Sequence, residues 1–233
     1  MATRLASAAL GVGVSVLFFW LALKGTNFDA LSAGWSTVSV GAAAVYVGSL
    51  FLIHLLRTAR WGLMVRALDS SVSWANIVAM AFVGFAAVFL VPFRLGELAR
   101  PLLLRQRSDL TIAAGLGTVA IERAVDGLVT VAIFFAASLM TGRAELQIYG
   151  LAAFAVFASA SIAFFAMARW PAASEAFWRR LVGVLSDGLA EKVIGLLRGF
   201  VAGLASLPTR RLRLGYLVLT LLYWCINALG MWW

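Results

Sequence analysis

Apolar residues fill this chain in long blocks, and polar residues gather at the block ends. The blocks fall at roughly 5–23, 37–56, 74–92, 111–140, 146–168 and 212–233. A run of about 18 or more apolar residues can cross a hydrocarbon layer of about 30 Å as a helix. The pattern predicts an all-α, polytopic helical membrane protein. It forms one transmembrane domain, 1–233, because no long polar linker divides it. Polar punctuation at 24–27, 68–71 and 140–143 marks turns between blocks. The first block is longer than the apolar core of a signal peptide and reads as a retained first helix.

Two charged groups interrupt the pattern. One is Pro92-Phe93-Arg94-Leu95-Gly96-Glu97-Leu98-Ala99-Arg100-Pro101. The other is Glu122-Arg123 with Asp126, inside the fourth block. Ionisable groups at membrane depth are costly and usually face a protein interior or a wet cavity. Each proline removes a backbone donor and disfavours helix at the preceding residue. Gly96 permits backbone angles that other residues resist. A broken or re-entrant segment near 92–101 follows, with a new helix starting near Gly96 or Pro101. Such a start would aim free N–H groups at the break.

Loop charges support re-entry. Arg57, Arg60 and Arg66 follow the second block and place that loop on the cytoplasmic side. The N-terminus is then cytoplasmic too. A simple third crossing would put Arg94, Arg100, Arg105 and Arg107 outside, against the positive-inside bias. The conflict disappears if the region 74–107 enters and returns to the same side. The alternative is a simple topology with these arginines as interface anchors.

Glu122 and Asp126 lie one turn apart on one helix face. Buried that close, they repel unless a cation intervenes or one is protonated. Arg94, Arg100 and Arg123 are the cations at hand, three against the carboxylates Glu97, Glu122 and Asp126. Two readings stay open. The set is a buried ion-pair network, or it is a polar site for a zwitterionic or anionic head group. In the second reading, Arg94 and Arg100 take phosphate oxygens. Glu97, Glu122 and Asp126 then orient the arginines or meet an ammonium.

From 174 to 206, Phe177, Leu181, Leu189, Val193, Leu196 and Phe200 approximate helical spacing, with Arg179, Arg180, Lys192 and Arg198 between them. This predicts a cytoplasmic amphipathic helical stretch along the membrane interface. Ser186-Asp187-Gly188 divides it and offers a cap for its second helix. A helical hairpin folded onto the membrane domain is the alternative.

Composition narrows the chemistry. The chain is 63% hydrophobic and 12% charged, with net charge +9 and mean hydropathy +0.97. The basic residues sit at block ends, so anionic lipid head groups rather than nucleic acid are the expected partners. The single cysteine, Cys225, excludes an internal disulfide. The single histidine, His54, lacks a Cys or carboxylate partner at ligand spacing, so no metal site and no cofactor are expected.

Together the two clusters resemble the lysylphosphatidylglycerol synthase transmembrane-region family of flippase-like membrane proteins. These include the membrane portion of the multiple peptide resistance factor. Pro92, Arg94, Gly96, Glu97 and Arg100 carry the resemblance, followed by Glu122, Arg123 and Asp126. It covers about 35 to 233. It implies residence in a prokaryotic cytoplasmic membrane, a role in handling lipids, and further spans beyond Trp233. The soluble aminoacyl-transferring domain is absent from this sequence, so lipid aminoacylation is not implied.

Three functions compete. The first is a flippase or transporter of phospholipids or lipid-linked head groups, with Arg94, Glu97, Arg100, Glu122, Arg123 and Asp126 as substrate-binding residues. The second is a membrane enzyme, or a subunit of one, in lipid or glycolipid modification. Against it, no Asp-x-Asp pair and no nucleophilic constellation occurs. The third is a scaffold that docks a separate lipid-modifying synthase.

Overall fold

The computed structural model describes the backbone at residues 2–184 and 186–232. It describes the side chains there except at 2–11, 14, 30, 31, 35–37, 92–94, 231 and 232. The described residues form α-helices with no strand. The helices are α1 Ala2–Leu23, α2 Phe28–Thr37, α3 Val40–Leu68, α4 Trp74–Leu90, α5 Ala99–Arg107, α6 Ile112–Thr141, α7 Ala144–Arg169, α8 Pro171–Gly183, α9 Asp187–Leu204 and α10 Arg210–Trp232. A 3-10 segment, Pro92–Leu98, joins α4 to α5. Among the described residues, α3, α6, α7 and α10 are long and apolar enough to cross a membrane, and α4 is a shorter apolar helix. The predicted all-α membrane architecture is what the chain adopts.

Among the described residues, side-chain caps set the starts of four helices, one of them α10, where Thr209 accepts the Leu212 N–H at 3.2 Å. Ser39, Ser73 and Thr111 each accept a backbone N–H from the first turn, of Ala42, Asn76 and Ala114. Gly142 closes α6 in the left-handed region at φ 67 and turns the chain tightly into α7. Ser186 stands at the start of α9, but its hydroxyl makes no capping bond, contrary to the sequence expectation.

The segment after α4 breaks the helix and reverses the chain. Val91, held extended by the following proline, ends α4. The chain then doubles back. A Cβ at Gly96 would lie 2.1 Å from the Ala87 carbonyl carbon, and one at Gly84 would lie 2.3 Å from Arg100 Cγ. The positions pair antiparallel, 87 with 96 and 84 with 100. Arg105 and Arg107 then share a cleft with Asp69 and Ser71, at the end where the hairpin began. The lengths agree, with α4 at about 26 Å and the return leg at about 27 Å.

Two expectations about this segment change. Gly96 is required for close backbone approach rather than for an unusual backbone angle. Among the described residues the positive-φ glycines are Gly25 and Gly142. Nor does an open helix start face the break. Leu98 is itself helical and the Ala99 N–H bonds to the Gly96 carbonyl, so the 3-10 segment runs straight into α5. Pro101 falls in the first turn of α5, where no intrahelical donor is needed.

Neighbouring crossings are antiparallel. Leu63 of α3 sits beside Gly215 of α10 and Ser49 beside Gly230, while Phe157 of α7 lies on Gly127 of α6. The end of α3, the mouth of the hairpin, the start of α6, the end of α7 and the start of α10 therefore lie at one end. That end carries Arg66, Arg105, Arg107, Arg169, Arg210, Arg211 and Arg213. A core of Trp61, Met64, Val65, Ile77, Met80, Phe85, Leu104 and Tyr216 fills the space between α3, the hairpin and α10.

The amphipathic stretch forms a helical hairpin. Glu175 of α8 takes two hydrogen bonds from Arg198 of α9, at 2.8 and 2.9 Å, and Arg179 pairs with Glu191. The Arg198 hydrogen bond holds the Glu175 carboxyl below its ordinary range. Helix α9 packs against α6 as well as α8. It packs Ala190, Ile194, Leu197 and Leu204 inward and meets α6 backbone to backbone. A Cβ at Gly203 would lie 2.1 Å from the Ala114 carbonyl oxygen, and one at Gly117 would lie 2.3 Å from that of Phe200.

That contact gives the first prediction. Gly203→Val overpacks the α6–α9 crossing and lowers stability by about 1–3 kcal/mol in detergent unfolding. Gly195→Ala on the same helix meets open space and leaves stability unchanged or slightly raised.

Candidate functional site

Helix α6 carries Glu122 and Asp126 on its buried face. At about 1.5 Å per residue they lie about 15 and 21 Å from the start of a 30-residue apolar helix. Their mutual repulsion is resolved by cations from two other elements.

Arg60 of α3 is fully buried and grips Asp126 through both terminal nitrogens, at 2.7 and 2.9 Å. It also donates to the Thr220 hydroxyl of α10 at 3.3 Å. The Tyr216 and Tyr223 rings lie 5.2 and 5.3 Å from its guanidinium carbon. Thr220 spends its own proton on the Tyr216 carbonyl. Arg60 thus joins α3, α6 and α10 through one side chain.

Arg100 of α5 is buried against Glu122, with Nη2 2.7 Å from Oε2. No aligned hydrogen bond accompanies that approach, and Arg100 Nη1 is left without a partner. Charge is the main attraction, aided by the Trp61 and Phe85 rings at 5.3 and 5.4 Å. The stem of Arg100 crosses α4 at Gly84, where only a missing Cβ leaves room. Pro101, next in sequence, rests on Gly115 of α6. Trp61 is fixed in turn by its indole N–H on the Thr118 hydroxyl at 3.2 Å.

The rim of the cluster is more open. Arg123 bridges Asp126 at 3.2 Å and Glu97 at 3.7 Å, with side-chain exposures of 36% for Arg123 and 23% for Glu97. Arg57 of α3, one turn before Arg60, stacks over Phe85 at 4.5 Å. It lies within electrostatic reach of Glu122, Arg100 and Arg123. It forms no ion pair among the described residues, and its buried Nε has no partner. His54, a turn earlier, rests on the same Phe85 ring at 4.9 Å.

Five of the six residues expected from sequence therefore converge: Glu97, Arg100, Glu122, Arg123 and Asp126. The side chain of Arg94 lies outside the described residues, though its backbone belongs to the 3-10 segment. Sequence reasoning missed Arg57 and Arg60. It ended the second span at 56 and put both arginines in a loop, whereas α3 runs on to Leu68. Their three-residue spacing, and the apolar positions Trp61, Met64 and Val65 that continue it, signal that helix. The charge count changes as well. Among the described residues four guanidiniums (Arg57, Arg60, Arg100, Arg123) face three carboxylates, one positive charge more than a balanced set.

The family model for the lysylphosphatidylglycerol synthase TM region matches residues 8–233. The chain belongs to that family. No curated protein and no solved structure matches it. For this member of the lysylphosphatidylglycerol synthase transmembrane-region family, the expected resemblance extends further toward the N-terminus than residue 35. The chain is an integral membrane protein with its two sequence clusters folded into one.

The second prediction concerns the interior pair. Asp126→Leu and Arg60→Met each strand a buried partner and cost about 3–5 kcal/mol in detergent unfolding. The double variant Arg60→Met with Asp126→Leu recovers most of that loss. A double-mutant cycle measures the coupling.

Proposed function

We propose that this protein moves the head group of a phospholipid, or of a related lipid, past the charged cluster, as a flippase or transporter. The observation that supports this reading is the surplus guanidinium, Arg57, which has no carboxylate partner beside a partly open rim. Such a charge at mid-depth is expensive alone and favourable once an anion meets it. A lipid phosphate supplies that anion. Arg57 and Arg123 bind the phosphate, and Glu97 receives an ammonium where the head group has one. The acyl chains stay in the surrounding lipid.

The roles divide by burial. Arg60 with Asp126 and Arg100 with Glu122 are interior and paired, which supports the ion-pair-network reading for those four. The rim supports the ligand reading. The arginine-rich end faces the cytoplasm under the positive-inside bias, and the N-terminus joins it if α1 crosses.

The test follows tail-labelled phosphatidylglycerol in reconstituted vesicles, where a membrane-impermeant quencher reports the exposed leaflet. Arg57→Gln and Arg123→Gln slow exchange roughly tenfold or more relative to the unchanged protein, the scale of one lost charge-assisted contact. Lys192→Gln, an exposed position on α9, leaves it unchanged. Equal exchange in all four proteins would sink the proposal. Chemically altered lipid would favour the enzyme reading instead.

A further inference from the structure

On the other side of α6 from the charged cluster lies a groove of about 610 Å³, walled by α6, α7 and the segment that joins α9 to α10. Ile121, Val125, Phe164 and Leu207 make its floor and walls apolar. That volume is in the range of small-molecule sites. Arg169, in the last turn of α7, and Arg213, in the first turn of α10, also line it. The antiparallel pairing of α6 with α7 and of α3 with α10 puts both arginines at the basic end.

These arginines have no counter-charge among the described residues. Neither forms an ion pair among the described residues, and Arg210 and Arg211 beside Arg213 add to the field. The first turn of α10 contains no acidic residue. Glu175, the carboxylate nearest in sequence to Arg169, is engaged by Arg198. Ser206, whose chain neighbours Ala205 and Leu207 both line the groove, buries a hydroxyl with no partner. An apolar slot that opens on two unpaired guanidiniums is complementary to a molecule with an apolar tail and an anionic head.

We propose that this groove holds one anionic phospholipid, with an acyl chain along Ile121, Val125 and Phe164 and its phosphate between Arg169 and Arg213. The site is separate from the Arg57–Arg123 rim and does not depend on it. The lipid fills the wedge between α6 and α7 and ties the α9–α10 segment to it. It stays bound while other lipids exchange. A zwitterionic lipid fills the apolar part but leaves part of the arginine charge unanswered.

Native mass spectrometry tests this on the full chain released from detergent. The probe is an equimolar mixture of phosphatidylglycerol and phosphatidylcholine with identical acyl chains. The unchanged protein retains one phosphatidylglycerol in preference to phosphatidylcholine. The double variant Arg169→Gln with Arg213→Gln loses that preference roughly thirtyfold, at the usual worth of two basic residues near a lipid surface. Arg169→Lys with Arg213→Lys keeps most of it, and Ala168→Phe, which fills the groove, abolishes retention with both charges intact. Arg57→Gln leaves retention unchanged, which separates this site from the transport proposal. Retention that survives Arg169→Gln with Arg213→Gln, or that millimolar inorganic phosphate displaces, overturns the inference. So does loss of retention in Arg57→Gln alone.

Discussion

Two carboxylates one turn apart on a buried helix face cannot both stay charged unless cations come between them. This constraint organises the protein. Glu122 and Asp126 belong to α6, but their buried partners come from α5 and α3. Helix α6 is therefore the post to which the other elements are fastened. Arg100 brings the hairpin to it, and Arg60 brings α3 and, through Thr220, α10. In lipid the usual driving force for joining apolar helices is weak, because tails solvate them as well as neighbours do. Charge pairing and close glycine contacts supply the specificity that apolar surface cannot.

The glycines follow from the same requirement. Arg100 reaches Glu122 only because Gly84 leaves room for its stem and Gly115 receives Pro101. The return leg lies flat on α4 only because Gly96 meets Ala87 without a side chain. On the other side of α6, Gly117 and Gly203 let α9 approach to backbone contact. Helix α6 is thus held on two faces by different means, ion pairs on one and small residues on the other.

The all-α membrane class, the four long apolar helices and the doubling back at 92–101 were legible in the sequence because each has a local signature. Apolar run length gave the helices, and Pro92 with the misplaced arginines gave the doubling back. The five residues of the charged cluster were legible because charge inside an apolar block is rare. Arg57 and Arg60 were not, because they sit where an apolar block ends, and there an arginine ordinarily means a loop. Only the tertiary partner, Asp126, 66 positions away, makes Arg60 an interior residue. The role of Gly96 was misread for a similar reason, since close approach depends on what arrives from elsewhere in the chain.

On the proposed reading, burial also decides which charges a transport cycle can use. Opening the Arg60–Asp126 pair strands two ions in a low-dielectric interior, at a cost comparable to a large share of a domain's stability. A cycle that broke it at every turnover would unfasten α3, α6 and α10 together. Arg123 is different. It is shared between Glu97 and Asp126 at longer distances and is partly exposed, so an arriving phosphate can replace one partner at little cost. Arg57 has no carboxylate to give up. On the proposed reading, the buried pairs keep the post upright while the rim exchanges ligands, and Arg57 keeps the rim attractive to anions when no lipid is bound.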